Sequence, residues 1–200
     1  MSAVFEVELL LKEQLEISEI LNSIEDLGYE INSIQIQDDW EFNNLERLRI
    51  EQIKTCDDLV KQGKIVLING IIKSPCRFGI HLWKPEQTVF AANFWISTEG
   101  MEALDNNYIT KGNHEFYTFV TNKTTSVLNK DALLFGAIGS ELMVSYESDL
   151  EGIINNSKNV CEWIFADEKP YSCFDNFSKS KINGFTVYLL FNLKCNVTWV

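Results

Sequence analysis

The residues of this 200-residue chain that could do chemistry are two histidines, five cysteines and 29 carboxylates. A metal centre needs such groups clustered at ligand spacing. His81 and His114 are far apart, and none of Cys56, Cys76, Cys161, Cys173 and Cys195 forms a Cys-x-x-Cys pair. Asp38, Asp39 and Glu41 offer hard oxygen ligands, but no calcium-loop spacing follows them, so they read as a solvated strand end. No Gly-x-Ser-x-Gly elbow occurs. Gly136-Ala-Ile-Gly139-Ser140 is a fragment of a phosphate loop without its lysine, and reads as a turn between two strands. The expectation is a protein without metal, cofactor or catalytic site. If an enzyme site were assembled from distant residues, Cys76, His81 and a carboxylate would be its first members. Otherwise His81 is a packed or surface strand histidine, and His114 faces solvent at a helix start.

The carboxylates are more informative by position. The net charge is −12. Residues 1–60 hold 15 acidic and four basic residues, whereas residues 61–200 hold 14 acidic and 13 basic ones. A concentrated acidic field repels phosphate and speeds encounter with a basic protein. Direct nucleic-acid binding needs clustered Lys and Arg and is not expected. Trp40 stands among Asp38, Asp39, Glu41 and Phe42. An aromatic ringed by carboxylates suits a Lys- or Arg-rich surface; alternatively, Trp40 packs on the core where strand meets helix. Asp38, Asp39, Trp40, Glu41, Glu46, Glu51, Asp57 and Asp58 form the expected partner-binding set, with Glu13–Glu25 beside it.

The chain begins without a basic n-region, and its longest apolar stretches fall well short of about 20 residues, so neither a secretory leader nor a membrane helix is expected. Scattered, odd-numbered cysteines fit reduced thiols in the cytoplasm.

These residues are positioned by a chain that opens strand, helix, strand. Val4–Leu11 begins with strand alternation. Ile17, Ile20, Leu21, Ile24 and Leu27 then follow helical spacing, closed by Gly28, and Ile31–Ile36 is extended. The apolar periodicity of Leu45, Leu48, Ile53, Leu59 and Val60 predicts helix across residues 41–62, with Asp57 as a possible cap. Lys64–Ile72 is β-prone, and its Asn69-Gly70 marks either a hairpin or a bulged single strand. Phe78–Trp83 and Thr88–Ser97 form a hairpin about Lys84–Gln87. A short helix is expected over Glu99–Asp105 and a longer one after Asn113. Strands follow at Leu133–Ile138, Glu141–Tyr146, Val160–Phe165 and Phe185–Leu193. Ser148 or Asp149 caps Leu150–Asn156, and Pro170–Lys181 is a loop. Trp83, Trp95, Trp163 and Trp199 read as structural. The fold expected is a single α+β domain over residues 1–200, with a mostly antiparallel sheet flanked by helices.

A small acidic chain with this opening, an Asn-, Ile- and Lys-rich composition of bacterial flavour and no catalytic motif resembles the immunity proteins that bacteria pair with polymorphic or contact-dependent toxins. The resemblance covers the strand–helix–strand opening and the acidic bias of residues 1–60. No family residue is carried over, and Trp83-Lys84-Pro85-Glu86 departs from the Trp-Pro-x-Pro signature of one large immunity group. The resemblance implies a non-enzymatic inhibitor of a basic protein, such as a toxin nuclease. The competing expectations are a small enzyme and a homodimeric scaffold.

Overall fold

A computed structural model describes residues 4–72, 76–99, 101, 108–144 and 149–191. Its strands are β1 (Val4–Leu11), β2 (Tyr29–Gln37), β3 (Glu46–Leu48), β4 (Ile65–Ile72), β5 (Cys76–Glu86), β6 (Val89–Ser97), β7 (Leu133–Met143), β8 (Lys158–Phe165), β9 (Ser178–Ile182) and β10 (Phe185–Leu189). Its helices are α1 (Ile17–Ser23), α2 (Cys56–Lys61), α3 (His114–Val127) and α4 (Leu150–Asn156). The ten strands form one sheet in the order β3-β2-β4-β5-β6-β1-β7-β8-β10-β9. Every pairing between them is antiparallel. The α+β class with an antiparallel sheet is therefore the observed one.

β1 lies mid-sheet between β6 and β7, which explains its composition. Its first half alternates, but Leu9, Leu10 and Leu11 are all buried, because a central strand covered on both faces reads as a continuous apolar run. A 3-10 turn, Glu25–Leu27, separates α1 from β2. Four antiparallel pairings lie between β1 and β2, so these two strands run parallel and α1 is a crossover spanning β6, β5 and β4. Likewise α3 carries the chain from β6 across β1 to β7. Phe5 of β1 meets Phe116 and Tyr117 of α3 edge-on, at 4.9 and 5.1 Å.

The two sheet faces differ. One is covered by α1, α2 and α3 over a core that includes Phe5, Leu9, Ile34, Ile68, Ile80 and Tyr117. The other is covered toward β8 and β10 by α4 and the 171–177 segment, where Phe135, Trp163, Phe165, Phe174 and Tyr188 pack together. Phe174 stacks on Tyr188 at 4.0 Å.

Several sequence expectations give way to tertiary context. Residues 41–62 are not one helix. The chain turns after β2, pairs as β3, makes a 3-10 helix (Ile50–Thr55) and only then forms α2. Their apolar residues follow the sheet edge rather than one helical face. Asn69-Gly70 lies inside β4, opposite the β2 bulge; a Cβ at Gly70 would meet the Phe78 ring at 2.4 Å. Gly136 and Gly139 do not form a turn, because β7 runs through both. A Cβ at Gly139 would sit 2.0 Å from the Asn159 carbonyl, so close approach of chains explains it. The β5–β6 turn is Gln87-Thr88, not Lys84–Gln87. Pro170–Lys181 contains a 3-10 turn and β9. Asp149 does cap α4, accepting the Gly152 N–H at 2.7 Å. Most of the helix expected at Glu99–Asp105 and the strand residues beyond Phe191, with Trp199, lie outside the described residues.

Candidate functional site

The connection from β2 to β3 is built by its own acidic side chains. The Asp39 carboxylate accepts the backbone N–H groups of Glu41 (2.9 Å) and Asn43 (3.3 Å) and the Asn43 side-chain amide (2.7 Å). Asp38 pairs with Lys64 and accepts the Asn44 amide. The Lys64 ammonium holds the Asp38 carboxyl below the usual range, and the Asn43 amide does the same for Asp39. This ladder holds Phe42 and Asn44 at positive φ, 63° and 51°. A bulky residue in the left-handed region is an outlier that persists only where its surroundings fix it.

The loop presents apolar side chains to solvent. Trp40 is 49% exposed and Phe42 61% exposed, with Leu45 and Ile50 also exposed nearby. Glu41, Glu46 and Glu51 are exposed among them. About half of Trp40 is thus left outside the core on which the alternative reading packs it. Its ring leans on Trp83 instead, edge-on at 5.3 Å.

The remaining acidic residues divide. Asp58 is exposed on α2. Asp57 is turned inward: one carboxylate oxygen accepts the Gln14 side-chain amide (2.8 Å) and the Ile17 N–H at the start of α1 (3.1 Å). It therefore caps α1 from a distance rather than its own segment, and α1 has no side-chain cap of its own. Glu13, Glu16, Glu19 and Glu25 are exposed. Glu8 is buried and Glu6 only partly exposed, both on one face of the sheet.

Register explains that inward pair. His81, Asn93 and Glu8 are successive partners across β5, β6 and β1, and Gly79, Trp95 and Glu6 form the next row on the same face. Asn93 donates to Glu8 at 2.8 Å and to Glu6 at 3.3 Å, and Glu6 also accepts the Leu142 N–H at 2.8 Å. Burial raises the Glu6 carboxyl above its ordinary range. Trp95 donates its indole N–H to His81 Nε2 at 3.1 Å, and burial lowers the imidazole to about 4. His81 is therefore a neutral acceptor and not a poised base at neutral pH. Trp40 touches this row, 6.2 Å from the His81 ring, so the acidic loop and the polar sheet face adjoin.

Cys76 is excluded from a dyad with His81. The two are five residues apart in one continuous strand and point to opposite faces. Cys76 donates to the Ser97 carbonyl, and burial raises its thiol. Trp83 and Trp95 are only half-buried, unlike Trp163.

Two other features stand apart. Glu162 is wholly buried under α3, where it accepts the Thr121 hydroxyl, and burial lifts its carboxyl to about 7. An apolar cavity of about 380 Å³ opens between α1, α3 and the sheet. Among the described residues no group of three or more His, Cys, Asp or Glu side chains could hold a metal ion, and no helix is long and apolar enough to cross a membrane.

Trp40 among its carboxylates was one of two readings open in the sequence, whereas Leu45 looked like part of the buried stripe of a helix. The polar rows were hidden, because they depend on a β5–β6 register that the true turn sets. No family model matches this chain, no curated protein matches its sequence and no solved structure matches its fold.

Proposed function

We propose that this chain is a non-enzymatic binding protein that neutralises a basic protein partner, acting as an immunity protein does toward its cognate toxin. The observation that carries the reading is the β2–β3 loop: Trp40 and Phe42 held half-exposed or more, between Asp38, Asp39, Glu41 and Glu46. Aromatic anchors rimmed by charge are the composition of an interface centre. Glu41, Glu46, Glu51 and Asp58 supply the field that speeds encounter. Asp38 and Asp39 shape the loop, and Asp57 serves α1. The neutral His81 and the separation of Cys76 from it favour binding over catalysis.

The test begins with basic proteins that the wild-type chain retains from a host lysate and the Trp40→Ala/Phe42→Ala variant does not. One such protein is purified and its association measured. The Glu41→Lys/Glu46→Lys/Glu51→Lys variant should associate about tenfold more slowly at low salt, with the difference closing as salt rises. The partner's own activity should fall to background at one equivalent of the wild-type chain. Identical capture by both chains, or an association rate indifferent to charge reversal, overturns the proposal.

A further inference from the structure

The cavity between the helix layer and the sheet is independent of the loop surface and suggests a second binding role. Its walls are side chains that face inward yet stay only partly buried: Ile24 at the end of α1, Phe116 and Val120 of α3, and Phe94 and Ile96 of β6. Protein interiors are close-packed, so inward apolar groups left half-covered around a space of this size mark a place for a ligand. A volume of about 380 Å³ lies in the range of small-molecule sites. At roughly 30 Å³ for a water-sized group, it holds about a dozen non-hydrogen atoms.

The lining also selects the ligand's chemistry. It gives interior heteroatoms almost nothing to bond, so sugars and nucleotides would bury unpaired polar groups. The exceptions adjoin each other on α3. Lys123 binds both Asp26 oxygens at 2.8 Å, which leaves one of its three ammonium protons for a further acceptor. Thr124 has no hydrogen-bond partner among the described residues, whereas Thr125 and Ser126 turn their hydroxyls back onto helix carbonyls and Thr121 is engaged with Glu162. Ser23, also in the lining, is already committed to the Ile20 carbonyl.

We infer that the cavity binds a straight-chain fatty acid of about ten to twelve carbons, its hydrocarbon between Ile24, Phe94 and Val120 and its carboxylate on Lys123 and Thr124.

The probes are decanoate and 1-decanol, titrated by calorimetry into delipidated full-length chain. Decanoate should bind one saturable site and raise Tm. Lys123→Met should weaken decanoate about tenfold and leave decanol unchanged. Val120→Trp should weaken both at least tenfold by filling the space. A diazirine-bearing decanoic acid, photolysed on the wild-type chain, should label α1, α3 or β6; this readout requires no variant to fold. Absence of saturable decanoate binding, labelling confined to other elements, or a Lys123→Met chain that binds decanoate as wild type does overturns the inference.

Discussion

The indole N–H of Trp95 is bonded to Nε2 of His81 at 3.1 Å, across neighbouring strands on the half-buried polar face of the sheet. The bond requires His81 to be neutral at Nε2. Burial holds the imidazole near 4 in the folded chain, below its ordinary 6.5. The unfolded chain therefore takes up the proton first as pH falls. Stability present above pH 6.5 is lost between 6.5 and about 4, by about 3 kcal/mol in all. Glu162 changes stability in the opposite sense over the same range, so the check is wild type against His81→Asn in urea melts at pH 7 and pH 4.5. In His81→Asn that part of the difference should vanish; an unchanged pH dependence would show that His81 is not its source.

The same pair shows how much of the molecule was legible in its residues. The antiparallel α+β class followed from period-two runs such as Val4–Leu11 and Thr88–Ser97, and Asp149 was readable as a cap, because these signals are local. The His81 row was not readable. A turn over Lys84–Gln87 would set His81 opposite Phe90, whereas the Gln87-Thr88 turn and a bulge after Trp83 set it opposite Asn93. The stretch from Leu45 to Val60 was misread because apolar residues on a strand edge and two short helices imitate one amphipathic helix. Strand order depends on which edges meet after crossover, and helical or strand periodicity carries no record of that.

Gly79 exists to let Trp95 lie flat. A Cβ there would sit 2.2 Å from the indole nitrogen. Gly79→Ala must displace the ring and break its bond to His81, at a cost of about 2–3 kcal/mol by overpacking and loss of the hydrogen bond. Chemical denaturation should give this loss, with a changed tryptophan emission in the folded state. Gly63→Ala is the contrast: nothing crowds its Cβ, and any cost comes from its φ of +89°.

Asp57 should prove structural and not part of the partner surface. Asp57→Ala removes the acceptor for the Ile17 N–H and the Gln14 amide, and should cost about 1–2 kcal/mol. It should leave partner association unchanged at temperatures where the chain is folded. Trp40→Ala should do the reverse. Its edge contact with Trp83 is worth about 1 kcal/mol of stability, while partner affinity should fall by about 2 kcal/mol or more. Kinetics and melts on the two variants separate the roles; a Trp40→Ala chain that binds like wild type would move the interface elsewhere.

Glu162 sets a pH dependence of opposite sign. Its carboxyl is wholly buried against Thr121, and burial raises it from 4.5 to about 7. Between those values the folded chain keeps the proton while the unfolded chain has released it. The unfolded state then binds fewer protons, so stability falls as pH rises, by about 3 kcal/mol once pH exceeds 7. Glu162→Gln keeps the oxygen that accepts from Thr121 and cannot ionise. It should therefore be more stable than wild type at pH 8 and close to it at pH 4.5. Paired urea melts at those two values provide the check. A variant destabilised equally at both would mean that packing, and not the buried charge, governs the site.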